Sequence, residues 1–109
     1  MIATVKDGVL TLPRELPQEG MLILTRGVND TVSLFTPGQW TAFEEKMQNL
    51  PLERSRKLKQ FFYTQLYQVE VLDYQIQLPA IYRIRLKEGP VSVTLDERGC
   101  YILTQEDAE

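Results

Sequence analysis

The chain contains the same corner twice. "GVLTLPREL" occupies positions 8–16 and "YQIQLPAIYR" positions 74–83, and each is a short apolar alternation closed by Leu-Pro. An isolated Leu-Pro pair is a common accident, but here the neighbouring segments repeat with it. Leu12-Pro13 matches Leu78-Pro79, Glu19-Gly20 matches Glu88-Gly89, "MLILT" matches "VSVTL", and "VSLFT" (32–36) matches "CYILT" (100–104). The offset stays between 66 and 70 residues, with a small insertion around Tyr82–Leu86. Repetition of several elements in the same order marks a degenerate tandem repeat, which restricts the fold to architectures assembled from two similar halves.

Each half has the period of strands. Asp7-Gly8 supplies the positive φ angles of a tight hairpin turn leading into a strand that ends at Pro13. "GMLILTRG" is a dense apolar strand bounded by glycines, "VNDT" a turn, and "TVSLFT" an alternating strand with Val32 and Leu34 inward. In the second half, "VEVLDYQIQLP" predicts two strands around a turn near Leu72–Tyr74. "PVSVTLD" and "CYILT" supply two more strands.

Between the halves the period changes to that of helices. Thr36 caps, Pro37 suits the first helical position, and Gln39 completes a capping box. Trp40, Phe43, Met47 and Leu50 then form one apolar stripe, which Asn49–Pro51 breaks. A second helix is predicted through "LERSRKLKQFFYTQLYQ", burying Leu58, Phe61, Phe62 and Leu66. Phe61-Phe62-Tyr63 reads as core at this spacing rather than as a platform for stacking bases. The organisation is a first repeat over 1–36, a helical segment over 37–68, a second repeat over 69–104 and an acidic tail over 105–109. The fold class is α+β.

Composition narrows the function classes. The chain has 109 residues, 43% of them hydrophobic and 25% charged, as in ordinary soluble domains. There is no apolar run of membrane-spanning length and no signal-peptide pattern at the start, so a cytoplasmic protein without a membrane partner is expected. A single cysteine, Cys100, fits a reducing compartment. The absence of histidine removes the commonest general base and metal ligand, and no phosphate-cradling glycine loop is present. The paired carboxylates Glu44-Glu45 and Asp96-Glu97 read as solvated surface. Neither catalysis nor a cofactor is expected. With a net charge of -3, any contact with nucleic acid must come from local basic patches.

Strand–turn–strand, Leu-Pro, strand, turn, strand, then Pro-x-x-Trp opening a helix resembles the MraZ family of the SpoVT/AbrB swapped-hairpin superfamily. The resemblance covers nearly the whole chain as one domain, 1–109. It is carried most specifically by "LFTPGQWTAFEEKMQNLP" and "RSRKLKQFFYTQLYQVEV". "LPAIYR" is similar to the family's Leu-Pro-x-x-Leu-Arg element, with Tyr82 in the leucine place and Arg83 matching the arginine. The resemblance implies a swapped-hairpin AbrB-like β-barrel with two helices joining its halves. It also implies a bacterial, ring-forming homo-oligomer that regulates transcription of division and cell-wall genes, and location at the nucleoid.

The family signature D-x-x-G-R-x-x-x-P places an arginine at each hairpin tip. Here the Asp, Gly and Arg places hold Val5, Gly8 and Val9 in the first half, and Val71, Tyr74 and Gln75 in the second. Both arginines are missing, and neither valine nor glutamine replaces their paired contact with guanine or phosphate. The remaining candidates for DNA contact are Lys6 at the first tip, Arg14 after Leu-Pro, and Arg83, Arg85 and Lys87. If 83–87 is extended, these last three share one face. The alternative is a protein of the same fold that has lost DNA binding and works as a protein-interaction or assembly module. Arg54, Arg56, Lys57 and Lys59 near the start of the second helix read as a soluble face.

Overall fold

The computed structural model describes residues 1–106. Eight strands and three helices follow one another as β1 (Ile2–Lys6), β2 (Val9–Thr11), β3 (Gly20–Arg26), β4 (Val32–Phe35), α1 (Pro37–Gln48), α2 (Leu52–Tyr63), β5 (Tyr67–Leu72), β6 (Gln75–Gln77), α3 (Ala80–Arg83), β7 (Gly89–Leu95) and β8 (Tyr101–Gln105). The strands close into an antiparallel barrel in the order β1-β2-β6-β5-β3-β4-β8-β7. Among the described residues, closure leaves no free strand edge.

Alternation explains the barrel interior. Ala3 and Val5, Leu10, Leu22 and Leu24, Val32 and Leu34, Val69 and Val71, Ile76, Val91 and Val93, and Leu103 all point inward and are buried. Burial of each leucine- or valine-sized side chain contributes about 1.5–3 kcal/mol. The barrel mouths are plugged by Leu12 and Leu16 from one Leu-Pro segment and by Leu78, Tyr82 and Leu86 from the other.

Two hairpins are turned by backbone in the left-handed region. Asp7 and Gly8 have φ 52° and 77°, and Asp73 and Tyr74 have φ 52° and 64°. A two-residue turn of this hand matches the twist of the flanking strands. Tyr74 carries a side chain in a conformation that costs about 1–2 kcal/mol. It is held there by its N–H donating to the Gln18 carbonyl (2.9 Å) and its carbonyl accepting from Leu12 N–H (2.7 Å). At the other tip the Gly8 carbonyl accepts from Leu78 N–H (3.0 Å). Each Leu-Pro corner is therefore a latch: leucine donates to the tip of the opposite hairpin, and proline, which lacks an N–H, ends the strand.

A second apolar layer lies outside the barrel. α1 and α2 cover the outer face of β3, β4 and β8, enclosing Ile23, Phe35, Trp40, Phe43, Met47, Phe62 and Cys100. This is why "LILT" and "VSLF" are apolar without strict alternation: β4 is buried on both faces. The Phe35 ring meets Trp40 edge-on at 4.9 Å, and Phe43 meets Phe62 edge-on at 4.9 Å. The α1 capping box forms as read, with Gln39 N–H donating to Thr36 Oγ1 (3.2 Å) and Thr36 N–H to Gln39 Oε1 (2.9 Å).

The second helix is shorter than its sequence pattern. α2 ends at Tyr63, and Tyr67 and Gln68 belong to β5, paired with Leu24 and Ile23. Closing the barrel needs β5 at its full length beside β3, and this tertiary pairing overrides the local helical period. A tail over 105–109 is expected to fray at its acidic end; instead Gln105 is in β8 and Glu106 N–H donates to the Pro90 carbonyl (3.2 Å), while 107–109 lie outside the described residues.

Candidate nucleic-acid interface

The expectation of an extended, one-faced basic row over 83–87 is corrected. Residues 80–83 form α3, and the turn continues through Arg85 N–H and Leu86 N–H, which both donate to the Tyr82 carbonyl (3.2 and 2.9 Å). The reason lies in the buried residues. Tyr82 and Leu86 both fill the barrel mouth, whereas Ile84, which a strand would place on the same face, is 74% exposed; burying i and i+4 without i+2 suits a helical turn. Arg83 and Arg85 consequently line different depressions, with Lys87 between them on the lining of both.

Arg83 lies over the first hairpin tip. Its Nε donates to the Leu78 carbonyl (3.1 Å), and a Cβ built on Gly8 would stand 2.8 Å from that Nε. Lys87 joins it in a shallow groove of about 310 Å³ lined by Val5, Asp7, Gly8, Arg83, Leu86, Lys87 and Glu88. Lys6 is the exposed last residue of β1, immediately before the tip. Lys6, Arg83 and Lys87 are thus gathered around one hairpin. Arg85 faces a neighbouring depression of about 470 Å³, which it lines with Asp30, Ile84, Lys87 and Gln105; its guanidinium is 3.7 Å from Asp30, and its side chain is only 20% exposed. Arg14, also exposed, follows the Leu-Pro corner latched to the second tip at Tyr74.

Carboxylates share the first site. Glu88 Oε1 accepts from the Asp7 N–H (2.6 Å), clamping the tip to the start of β7. The groove therefore carries Asp7 and Glu88 alongside Arg83 and Lys87. In the sequence Glu88 stands out only as part of the repeated Glu-Gly pair, because the contact that matters joins residues 81 positions apart.

Beside Gln75, the arginine place of the second half, the outer face of the hairpins carries Glu70 and no cation. Gln75 is exposed, and an open depression of about 430 Å³ is lined by Gln68, Val69, Glu70, Leu72, Gln75, Gln77 and Pro79. Compared with protein-family models and with curated proteins, the chain matches none.

Several polar groups away from the hairpin tips have structural partners. Arg98 Nε donates to Asp96 Oδ2 (2.7 Å), and this hydrogen bond holds the Asp96 carboxyl below its ordinary pKa. Tyr63 Oη donates to Glu44 Oε2 (2.7 Å), tying α2 to α1; desolvation, with Glu44 beside it, pushes the phenol up to about 12. Thus one member of each carboxylate pair has a partner. Burial raises the Cys100 thiol. Among the described residues, no three histidine, cysteine, aspartate or glutamate side chains gather as a metal site would require, and no helix is long and apolar enough to cross a membrane.

Proposed function

We propose that this chain is a divergent MraZ-like regulator that binds promoter DNA of division and cell-wall genes as a homo-oligomer, with no catalytic role. The observation that carries the swapped-hairpin part is the strand register. The β1–β2 hairpin of the first half pairs with β7 of the second, Val5 opposite Gly89 and Ala3 opposite Val91. The β5–β6 hairpin of the second half pairs with β3 of the first, Val71 opposite Gly20 and Val69 opposite Leu22. Exchanging the halves turns one set of pairs into the other. Strands β2 and β6 meet symmetrically about Leu10 and Ile76, and β4 and β8 about Ser33 and Ile102. This relation matches Leu22 with Val91 and Val32 with Tyr101, moving the strand alignments by one residue from the pairing of "MLILT" with "VSVTL" and of "VSLFT" with "CYILT".

DNA contact is supported by Lys6, Arg83 and Lys87 around the first tip, with Arg14 at the second. Phosphate neutralisation by such residues makes binding fall with salt, and several copies in one oligomer add avidity. The test is fluorescence anisotropy on duplexes carrying direct repeats from promoters of division and cell-wall genes. Saturable binding at 50 mM salt is expected, with a steep loss by 200 mM. A Lys6→Ala/Arg83→Ala/Lys87→Ala variant should bind more weakly and lower the log–log salt slope by about 0.9 per lost phosphate contact. Absence of binding by the parent protein at 50 mM salt refutes the reading.

The second reading, a protein-interaction or assembly module, is favoured by a separate observation. Arg83 and Arg85 already have partners, and Asp7 and Glu88 offset the charge at the first tip. In either reading, a closed barrel must assemble through side-chain surfaces rather than strand edges. Light scattering tests assembly: a strict monomer argues against the oligomer.

A further inference from the structure

α2 carries Arg54, Arg56, Lys57 and Lys59, all exposed and spread round the helix beside its apolar stripe, with Glu53 the only acid in the helix. Two depressions of about 290 Å³ each adjoin it. One is lined by Leu50, Arg54, Lys57 and Leu58, the other by Val28, Lys57, Leu58, Phe61, Phe62 and Arg98. They share Lys57 and Leu58 and so form one groove along the helix. From Arg54 to Phe61 this is about two turns, or about 10 Å at the usual helical rise. The floor is aliphatic and aromatic, the rim is cationic, and no carboxylate lines it, in a chain with 15 acidic residues against 12 basic ones. Among the described residues, the ion pairs are Arg85–Asp30 and Arg98–Asp96, which leaves Arg54 and Lys57 without an acidic partner there.

We infer that this groove docks an acidic, amphipathic segment of a partner protein, with apolar side chains on the Val28–Leu58–Phe61 floor and carboxylates against Arg54 and Lys57. Charge complementarity selects the acid, and the apolar floor selects a side chain over a bare phosphate. Anchors at i, i+3 or i+4, and i+7 on one helical face match a groove of this length. Single-stranded nucleic acid fits less well, because it needs open ring faces on which to stack. The Phe61 ring already has the Arg26 guanidinium 4.8 Å from its centroid and the Phe62 ring edge-on at 5.0 Å. The inference uses no residue of the hairpin tips and stands apart from the DNA-binding proposal.

The test is selection of peptides from a randomised displayed 16-residue library on the full chain. Selected peptides are then measured by anisotropy against the parent, an Arg54→Glu/Lys57→Glu variant and a Val28→Asp variant. All three substitutions are at exposed positions, and thermal melts check that the fold is retained. Enrichment of peptides combining acidic residues with helically spaced apolar ones is expected. Their affinity should fall at least tenfold in the double charge reversal and also fall in Val28→Asp, with amide shifts centred on 54–62. Recovery of no binders, of binders without acidic residues, or of binders indifferent to the double reversal overturns the inference. It is equally overturned if a 20-base DNA strand displaces the peptides and binds this face more tightly. A change of oligomeric state in the double reversal would assign the groove to a second copy and also overturn it.

Discussion

Substituting Gly8 by alanine tests the contact between the first hairpin tip and Arg83, where two costs can be separated. Gly8 has φ +77°, so any Cβ there meets the left-handed penalty of about 1–2 kcal/mol. The same Cβ would lie 2.8 Å from Arg83 Nε and 2.9 Å from its Cζ, so the guanidinium must move and its hydrogen bond to the Leu78 carbonyl is lost. A hydrogen bond from a charged donor contributes about 1.5–3 kcal/mol, and solvent competition at this exposed side chain reduces that to about 1. Gly8→Ala should therefore cost about 2–3 kcal/mol in total. In an Arg83→Ala background only the backbone part remains, about 1–2 kcal/mol, so a double-mutant cycle should give a coupling of about 1 kcal/mol. Urea denaturation of the four proteins, with shared m-values, measures it. Additivity within about 0.3 kcal/mol would mean that Arg83 does not rest on Gly8, and would remove Arg83 from the hairpin-tip cluster.

Three further outcomes follow from the local chemistry. Thr36→Ala removes the capping-box acceptor for Gln39 N–H and should cost about 1 kcal/mol in urea denaturation, with Thr36→Ser largely restoring it. Burial pushes the Tyr82 phenol up to about 12 from its ordinary 10, so its contribution is fully present below pH 10. That contribution is lost as pH rises from 10 towards 12, because the unfolded chain releases the proton first. Tyr82→Phe should flatten this alkaline limb of a pH–stability profile, leaving the part due to Tyr63, while costing about 1–2 kcal/mol at pH 7 because the Gln65 carbonyl loses its donor. Cys100, 3% exposed and with its thiol pKa raised, should react slowly with iodoacetamide in the native protein and rapidly in denaturant; equal rates would contradict its burial.

Local features were legible in the sequence wherever one residue type answers one geometric need. Asp7-Gly8 turns a hairpin, Thr36-Pro37 with Gln39 opens a helix, and the Trp40–Phe43–Met47 stripe faces the core. Sequence and structure part where a pattern has two solutions. "YRIRLK" alternates like a strand, but Tyr82 and Leu86 also satisfy a helical turn, and the barrel mouth selects that turn. The candidate DNA site shows the same division. Lys6 belongs to a hairpin tip by local rules, whereas the approach of Arg83, the clamp from Glu88 and the diversion of Arg85 to Asp30 are long-range contacts without a local signature.

The two Leu-Pro corners mark the boundary between these kinds of information. By itself the sequence determined the alternation before each corner, the stop imposed by a residue without an N–H, and the helices between the halves. These depend on backbone stereochemistry and on residues within a few positions of one another. Only the tertiary structure decided that Leu12 latches to Tyr74 and Leu78 to Gly8, that each hairpin pairs with the long strand from the other part of the chain, and that the basic row separates. Those outcomes depend on closing the barrel, where every strand must find two neighbours and every buried N–H an acceptor, a condition that no local stretch of sequence satisfies alone.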